Sequence, residues 1–176
     1  MMESRIRPAN DADLPAINDI FNHYVLNSTC IWLTEPVTMD QRRAWFASHD
    51  EAHPVTVAKE EGEVVGWASL SAYNGRSGWR RTVEDSIYLR HDRLGRGIGA
   101  RLLADLLGRA ARLGHHAVIA AICADQPASI RLHARQGFVE CGRLRETGFK
   151  FGRWLDAIYL QRLLGPPGDT LSSPPA

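Results

Sequence analysis

The chain has 176 residues and a mass of 19.6 kDa, within the roughly 100–200 residues usual for one domain. Hydrophobic residues make up 44% of it and charged residues 23%, an ordinary globular composition with room for a real core. Lys and Arg total 21 against 20 Asp and Glu, so a net charge of +1 removes any global argument for nucleic acid or an anionic membrane as partner.

Met1 to Asn10 is polar and basic with no apolar run, so no secretory signal is visible. Ser4 to Pro8 reads as a short first strand. Asp11 is placed to cap a helix reaching about Leu26, with Leu14, Ile17, Ile20, Phe21, Tyr24 and Val25 at helical spacing. Asn27 to Val37 is an irregular loop that carries Trp32, an unusual place for a large aromatic. Thr38-Met39-Asp40-Gln41 has the form of a capping box and starts a second helix through Trp45 and Phe46.

Val55 to Lys59 and Val64 to Tyr73 are strand-like and joined by Glu60-Glu61-Gly62-Glu63, which predicts an antiparallel hairpin. A loop rich in Gly and Arg, Asn74 to Arg81, leads into the β-branched run Thr82 to Leu89. Arg90 to Gly99 then opens a long helix whose buried stripe is Leu102, Leu103, Leu106, Leu107, Ala110 and Leu113, closed by Gly114. Val118 to Cys123 is a fully apolar strand, as expected of one covered on both faces. The apolar run around it, Ala117 to Ala124, is far too short to span a bilayer. Pro127 starts a short helix that Gly137 closes. Two last strands, about Phe138 to Arg145 and Trp154 to Leu164, are expected to flank a loop containing Gly148 and Gly152. From Gly165 onward the Pro, Gly and Ser composition reads as a disordered tail. The order βααβββαβαββ, without internal repeat, describes one mixed α/β domain over residues 1–164.

Two further counts bear on chemistry. Cys30, Cys123 and Cys141 are odd in number and widely spaced, which fits neither a disulfide framework nor a zinc pattern. Free thiols in a cytoplasmic protein without a metal are expected. Only Lys59 and Lys150 are lysines, and every other basic side chain is an Arg, whose planar fork suits carboxylate and phosphate.

The glycine loop Leu94-Gly95-Arg96-Gly97-Ile98-Gly99, between a strand and a helix, suggests backbone amides turned toward an anion. A P-loop would need Lys-Ser/Thr after its last glycine, where Ala100-Arg101 stands. A dinucleotide fingerprint, G-x-G-x-x-G/A, is satisfied literally. Yet Arg90 to Leu94 separate the glycines from their strand, and the motif falls after nearly half the chain. Glycines serving only a tight turn are a further reading. The pyrophosphate of coenzyme A is the last, helped by the Arg-rich flank.

With Ser129-Ile130-Arg131-Leu132-His133-Ala134-Arg135-Gln136-Gly137-Phe138 on the following short helix, this succession resembles the GNAT acetyltransferase superfamily. The segments Thr82 to Leu89 and Gly148 to Asp156, with Ile20 to Tyr24 and Ile31-Trp32, are similar to phosphinothricin and methionine sulfoximine N-acetyltransferases. The resemblance covers about residues 4–164. It implies a GNAT fold, with a central, mixed but mostly antiparallel sheet flanked by helices.

It also implies acetyl-CoA as co-substrate, held by Ile87, Tyr88 and Leu89 and by the loop Leu94, Gly95, Arg96, Gly97, Ile98 and Gly99. Leu94 stands where the family places Gln or Arg, and Gln126 where it places Asn. Arg135 is placed by resemblance near the coenzyme phosphates, with a solvated helix-face Arg as the plain alternative.

Strand alternation points Glu84 and Asp85 to opposite faces, and the motif selects Glu84 as general base. Its ordinary pKa, near 4.3, is low for a base acting on an amine, so burial or a water relay is required. His133 is placed by resemblance to protonate the departing thiolate, or to assist the base. Ser77, Gly78, Trp79 and Arg80 match the acceptor segment, with Arg80 available to grip a carboxylate and Trp32, Trp79 and Tyr73 to wall the pocket. No assignment for Lys150 or Arg153 follows. The implied activity is acetylation of the α-amine of a small amino acid or analogue by a homodimer. The alternatives are a protein N-terminal or lysine acetyltransferase, and a non-catalytic acyl-CoA sensor.

Overall fold

The computed structural model describes residues 4–165. Its strands are β1 (Arg5–Pro8), β2 (Val55–Glu60), β3 (Glu63–Ala72), β4 (Thr82–Leu89), β5 (Ala117–Cys123), β6 (Val139–Lys150) and β7 (Arg153–Leu163). The α-helices are α1 (Leu14–Asn27), α2 (Met39–Ala47), α3 (Ile98–Arg112) and α4 (Pro127–Arg135). The element order is the expected one. The tail expected from Gly165 onward lies outside the described residues, apart from Gly165 itself. No helix among the described residues is long and apolar enough to cross a membrane.

The strands form one seven-stranded sheet in the order β1-β2-β3-β4-β5-β7-β6. Every neighbouring pair is antiparallel except β4 and β5, which run parallel. β3 and β4 pair from Gly66–Leu89 to Ala72–Val83, and β5 pairs with β7 from Ala117 to Cys123. Between β4 and β5 the pairing covers only Thr82–Glu84 against Ala117–Ile119. Beyond Glu84 the two strands part, and the sheet opens along its length.

Each face has its own core. On one, Leu102, Leu103 and Leu106 of α3 are fully buried against Ala68, Leu70, Val83 and Val118. Such a buried leucine contributes about 1.5–3 kcal/mol. On the other, Leu14, Ile17 and Ile20 of α1 cover Val55, Val57 and Trp67. Arg42 of α2 is also buried there, its guanidinium 4.4 Å from the Phe21 ring centroid and 4.6 Å from that of Trp45. Its Nε donates to Asn18 Oδ1 at 3.1 Å, and burial lowers its pKa to about 10, still cationic at neutral pH.

Two local expectations are corrected. The first helix is entered through Asn10, not Asp11: Asn10 and Asp13 form a capping box on a single 3-10 turn that precedes α1. Asp13 is occupied further by a bidentate pair with Arg7 at 2.7 and 2.8 Å. The second correction concerns the final hairpin. Instead of ending near Arg145, β6 passes through a bulge and continues to Lys150. Glu146 takes a left-handed φ of 49° there, and its amide donates to Asp156 Oδ1 at 2.9 Å. The turn itself is only Phe151-Gly152, both at positive φ, as a two-residue hairpin demands.

Gly148 therefore lies within a strand, and its role is packing. The Trp32 ring lies over it, so that a Cβ at Gly148 would come within 2.1 Å of the indole. Beside it, the buried Lys150 donates to the carbonyls of Ser28 and Ile31 at 2.7 and 2.8 Å. These contacts dock the α1–α2 loop on β6 and explain a lysine that local pattern left without a role. Gly148→Ala should therefore lower stability by about 1–3 kcal/mol through overpacking. A fall in melting temperature, with a shift in tryptophan emission, checks this.

Candidate active site

The chemistry begins where the sheet opens. Past Glu84, the β5-facing edge of β4 has no ladder partner, and the same is true of β5 past Ile119. Such an edge offers backbone donors and acceptors to an extended, amide-bearing chain, as an added strand would use them. Ile87, Tyr88 and Leu89 all lie on this open length of β4. The Tyr24 hydroxyl donates to the Leu89 carbonyl at 2.7 Å, fixing the strand's end. The Tyr88 side chain turns into the aromatic cluster of the α1–α2 face, 5.0 Å from Trp67 and 5.5 Å from Phe21 between centroids. Tyr88 thus offers only backbone to a ligand in the opening.

The glycine loop continues from this edge. Gly95 and Gly97 take φ of 75° and 77°, and no described atom lies within 4 Å of where a Cβ would stand on either. Gly97 is the N-cap of α3 and makes no side-chain cap, so the first-turn amides of α3 are left for a ligand. Leu94 is 55% exposed and Ile98 is buried, which limits both to backbone roles. The Arg-rich flank divides on inspection. Arg90 is tied to Glu63 and Asp92 at 2.8 and 2.7 Å, and Arg93 leans on Glu60 at 3.8 Å. Arg96 and Arg135 are exposed and have no acidic partner among the described residues. Gln136 Nε2, next to Arg135, donates to the Ala100 carbonyl at 3.3 Å, which brings the end of α4 close to the start of α3.

Gln126 precedes α4 at the end of β5. Its amide nitrogen donates to Thr29 Oγ1 at 2.8 Å and to Asp125 Oδ1 at 3.1 Å. Thr29 Oγ1 donates in turn to Asp125 Oδ1 at 2.7 Å, and Arg153 pairs with the other oxygen of Asp125. Asp125 is held at about 2 even though burial opposes it, because Thr29, Cys123, Arg153 and Gln126 all favour the carboxylate. The donor end of Gln126 is thus committed to the α1–α2 loop.

Glu84 and Asp85 stand on opposite faces, as alternation requires. Asp85 is buried with His133, whose Nε2 lies 2.9 Å from Asp85 Oδ2 and whose Nδ1 lies 2.8 Å from the Ser129 carbonyl. Burial disfavours the imidazolium, but the hydrogen bond and charge of Asp85 outweigh it and raise the pKa of His133. Both ring nitrogens are occupied and His133 is 2% exposed, so the expected contact with a departing thiolate finds no free nitrogen.

Glu84 faces the α1–α2 side and is half-buried. Burial, then the charge of Asp85, raises its pKa above the usual carboxylate range. Alternation and register put Ser71 of β3, Tyr73 just after it and Tyr159 of β7 on the same face. Burial, then the charges of Glu84 and Tyr73, raise the pKa of Tyr159. Sequence reasoning missed Tyr159 and Ser71, although period-2 alternation from Trp67 leads to Ser71. Among the described residues no cluster of His, Cys, Asp and Glu could hold a metal ion, and all three cysteines are free.

Ser77 to Trp79 form a single 3-10 turn between β3 and β4, with Arg80 after it. Ser77, Gly78, Trp79 and Arg80 are all exposed, and Arg80 has no acidic partner among the described residues. Trp79 packs against Tyr73 at 5.2 Å between centroids. Trp32 lies instead on β6, across β4, β5 and β7 from this loop. The structure therefore brings Glu84, Tyr73 and the Trp79–Arg80 loop to one end of the opening and does not bring Trp32 to Trp79.

An open strand edge leading into a glycine loop and an uncapped helix fits the pantetheine and pyrophosphate of coenzyme A. A dinucleotide fold is set aside, because the sheet of the described residues is antiparallel in every pairing but β4–β5, where a doubly wound fold needs a parallel one. Comparison with known proteins agrees. Residues 17–138 match the model of the acetyltransferase (GNAT) family. The chain is 44% identical over 167 residues to an L-methionine sulfoximine/L-methionine sulfone acetyltransferase of Pseudomonas paraeruginosa, covering 94% of this chain and 97% of that one. It is 38% identical to a phosphinothricin N-acetyltransferase of Streptomyces coelicolor, covering 92% and 97% respectively. The crystal structure of a phosphinothricin acetyltransferase from Sinorhizobium meliloti in complex with acetyl-CoA superposes with a TM-score of 0.90. That protein shares 40% identity, over 93% of this chain and 90% of that one. Matched by the family model over residues 17–138 and 38–44% identical to these relatives over nearly its whole length, the chain belongs to the GNAT acetyltransferase family.

Proposed function

We propose that the protein transfers the acetyl group of acetyl-CoA to the α-amine of a small amino acid or analogue, of the kind of methionine sulfoximine, methionine sulfone or phosphinothricin. The observation that carries this reading is Glu84, a half-buried carboxylate of raised pKa at the point where β4 and β5 part. Acetyl-CoA supplies a thioester carbonyl for attack by the amine. The Ile87–Leu89 edge and the amides of Gly95 to Gly99 hold it, with Arg96 and Arg135 facing its phosphates.

Glu84 takes the ammonium proton, which its raised pKa makes easier than for an exposed carboxylate. A backbone amide near Leu89 stabilises the oxyanion, and the coenzyme leaves as thiolate. Arg80 pairs with the acceptor's carboxylate beside Tyr73 and Trp79. His133 anchors α4 to β4 through Asp85 and delivers no proton. The chain acts in the cytoplasm as a homodimer, a second copy covering the exposed Phe149, Phe151 and Trp154 at the hairpin tip.

Thiol release from acetyl-CoA, measured across amino acids, their analogues and peptides, tests the substrate class. Turnover with peptides alone sinks the small-molecule reading, and no turnover with any amine favours a sensor. Glu84→Gln is expected to lower kcat by about 10²–10⁴-fold. In the wild type, activity should fall as pH drops through the raised pKa of Glu84, because only the carboxylate accepts a proton. Arg80→Ala should raise KM for the acceptor by about 10–100-fold, the loss of one charge-assisted pair, and leave KM for acetyl-CoA unchanged.

A further inference from the structure

A second chain of polar groups lies on the Glu84 face and runs away from the reaction. Ser71 is the direct cross-strand partner of Glu84 in the β3–β4 ladder. Side chains so paired stand about 4.5–5.5 Å apart at Cβ, within reach of one hydrogen bond or one bridging water. The Ser71 hydroxyl lies 3.3 Å from Nε2 of His49, which follows α2. The other ring nitrogen of His49, Nδ1, lies 2.8 Å from the carbonyl of Trp45.

A carbonyl accepts and never donates, so Nδ1 carries the hydrogen and Nε2 is a bare acceptor. Ser71 must then donate to His49, which leaves its oxygen lone pairs for a proton on Glu84. The ring is held against Trp45 at 4.4 Å between centroids and is only partly covered. Past it come Asp50 and His53, paired at 2.9 Å near the surface.

We propose that Ser71 and His49 form a proton path that carries the proton taken by Glu84 out to solvent. The proposal rests on Glu84 being the base. The amine's proton passes to Glu84, Glu84 gives it to Ser71 Oγ, and Ser71 releases its own hydrogen to His49 Nε2. The imidazolium so formed keeps its Nδ1–H on the Trp45 carbonyl until Nε2 loses its new proton to water. Carboxylate, hydroxyl and neutral imidazole are then restored, and one proton has left.

Arg42 and Asp50 face His49 from α2 and the loop after it, and His53 lies beyond, paired with Asp50. Tyr73 and Tyr159 share the face of Glu84, and Asp85 follows it in the strand on the opposite face. Burial, then His53 and Arg42 against Asp50 and the Trp45 carbonyl, lowers the pKa of His49 and keeps it neutral and able to accept near pH 7. His49 touches no reactant and acts through Ser71, as a positioning residue for the base.

The test is the pH–rate profile and solvent deuterium effect of His49→Phe, His49→Gln and Ser71→Ala, beside Glu84→Gln. His49→Phe and Ser71→Ala should each lower kcat about tenfold, with KM for acetyl-CoA unchanged and the acidic limb moved to lower pH. In Ser71→Ala the protonated form of Glu84 loses its acceptor, and in His49→Phe the freed Ser71 hydroxyl donates to the carboxylate instead; both favour the ionised form at lower pH. His49→Gln keeps an acceptor for Ser71 but carries no proton, so it should remain as slow as His49→Phe, with a smaller deuterium effect on kcat. Wild-type kcat and limb in both His49→Phe and Ser71→Ala would overturn the path, as would full rescue by His49→Gln. If the phenylalanine variant melts early, Ser71→Ala and His49→Gln decide the matter alone. Glu84→Gln with unchanged turnover removes the base itself; a slow Glu84→Gln beside wild-type His49 and Ser71 variants removes only the path.

Discussion

The fold turns on a parallel pairing that stops after three residues. Thr82, Val83 and Glu84 meet Ala117, Val118 and Ile119, and beyond that point β4 belongs to β3 while β5 belongs to β7. Two well-paired half-sheets are thereby joined by one short seam. Unpaired backbone inside a protein is costly unless something else pairs with it, so the open edges amount to a ready binding surface for an extended ligand. Glu84, the proposed base, stands at the last joined position.

A seam of that length needs support from outside the sheet. On one face, Leu102, Leu103 and Leu106 of α3 belong to one buried cluster that includes residues of both halves. On the same side, His133 ties α4 to Asp85, the first residue of β4 past the seam. On the other face, the α1–α2 loop is strapped to the far half-sheet by Lys150, by Trp32 over Gly148, and by Thr29 and Gln126 at Asp125. Buried polar partners of this kind are costly to remove singly, which suits contacts that must hold an opening at fixed width.

The two adjacent carboxylates of β4 show how one strand divides its labour. Asp85 turns inward to a buried imidazole and becomes structural. Glu84, one residue earlier, turns to the half-buried face with Ser71, Tyr73 and Tyr159 and is raised in pKa by burial and by its neighbour. His133 and His49 divide in the same way. The first has both nitrogens engaged by α4 and β4, and the second keeps its Nε2 toward Ser71.

Much of this was legible in the residues alone. Hydrophobic spacing, the Thr38 capping box and the glycines after Leu94 determined the order of elements, because those signals are local and repeat at the period of the element they build. Alternation alone put Glu84 and Asp85 on opposite faces. The end of the β4–β5 pairing, the partner of His133, the carbonyls held by Lys150 and the reach of His49 to Ser71 were decided only in the tertiary structure. Those contacts join residues 48, 122 and 22 positions apart, respectively, for His133, Lys150 and His49. Gly148 was misplaced for the same reason: a glycine marks a turn by local rule, and here it makes room for a tryptophan more than a hundred positions earlier in the chain. No periodicity encodes a neighbour of that kind, since it exists only once the sheet has set which strands lie side by side.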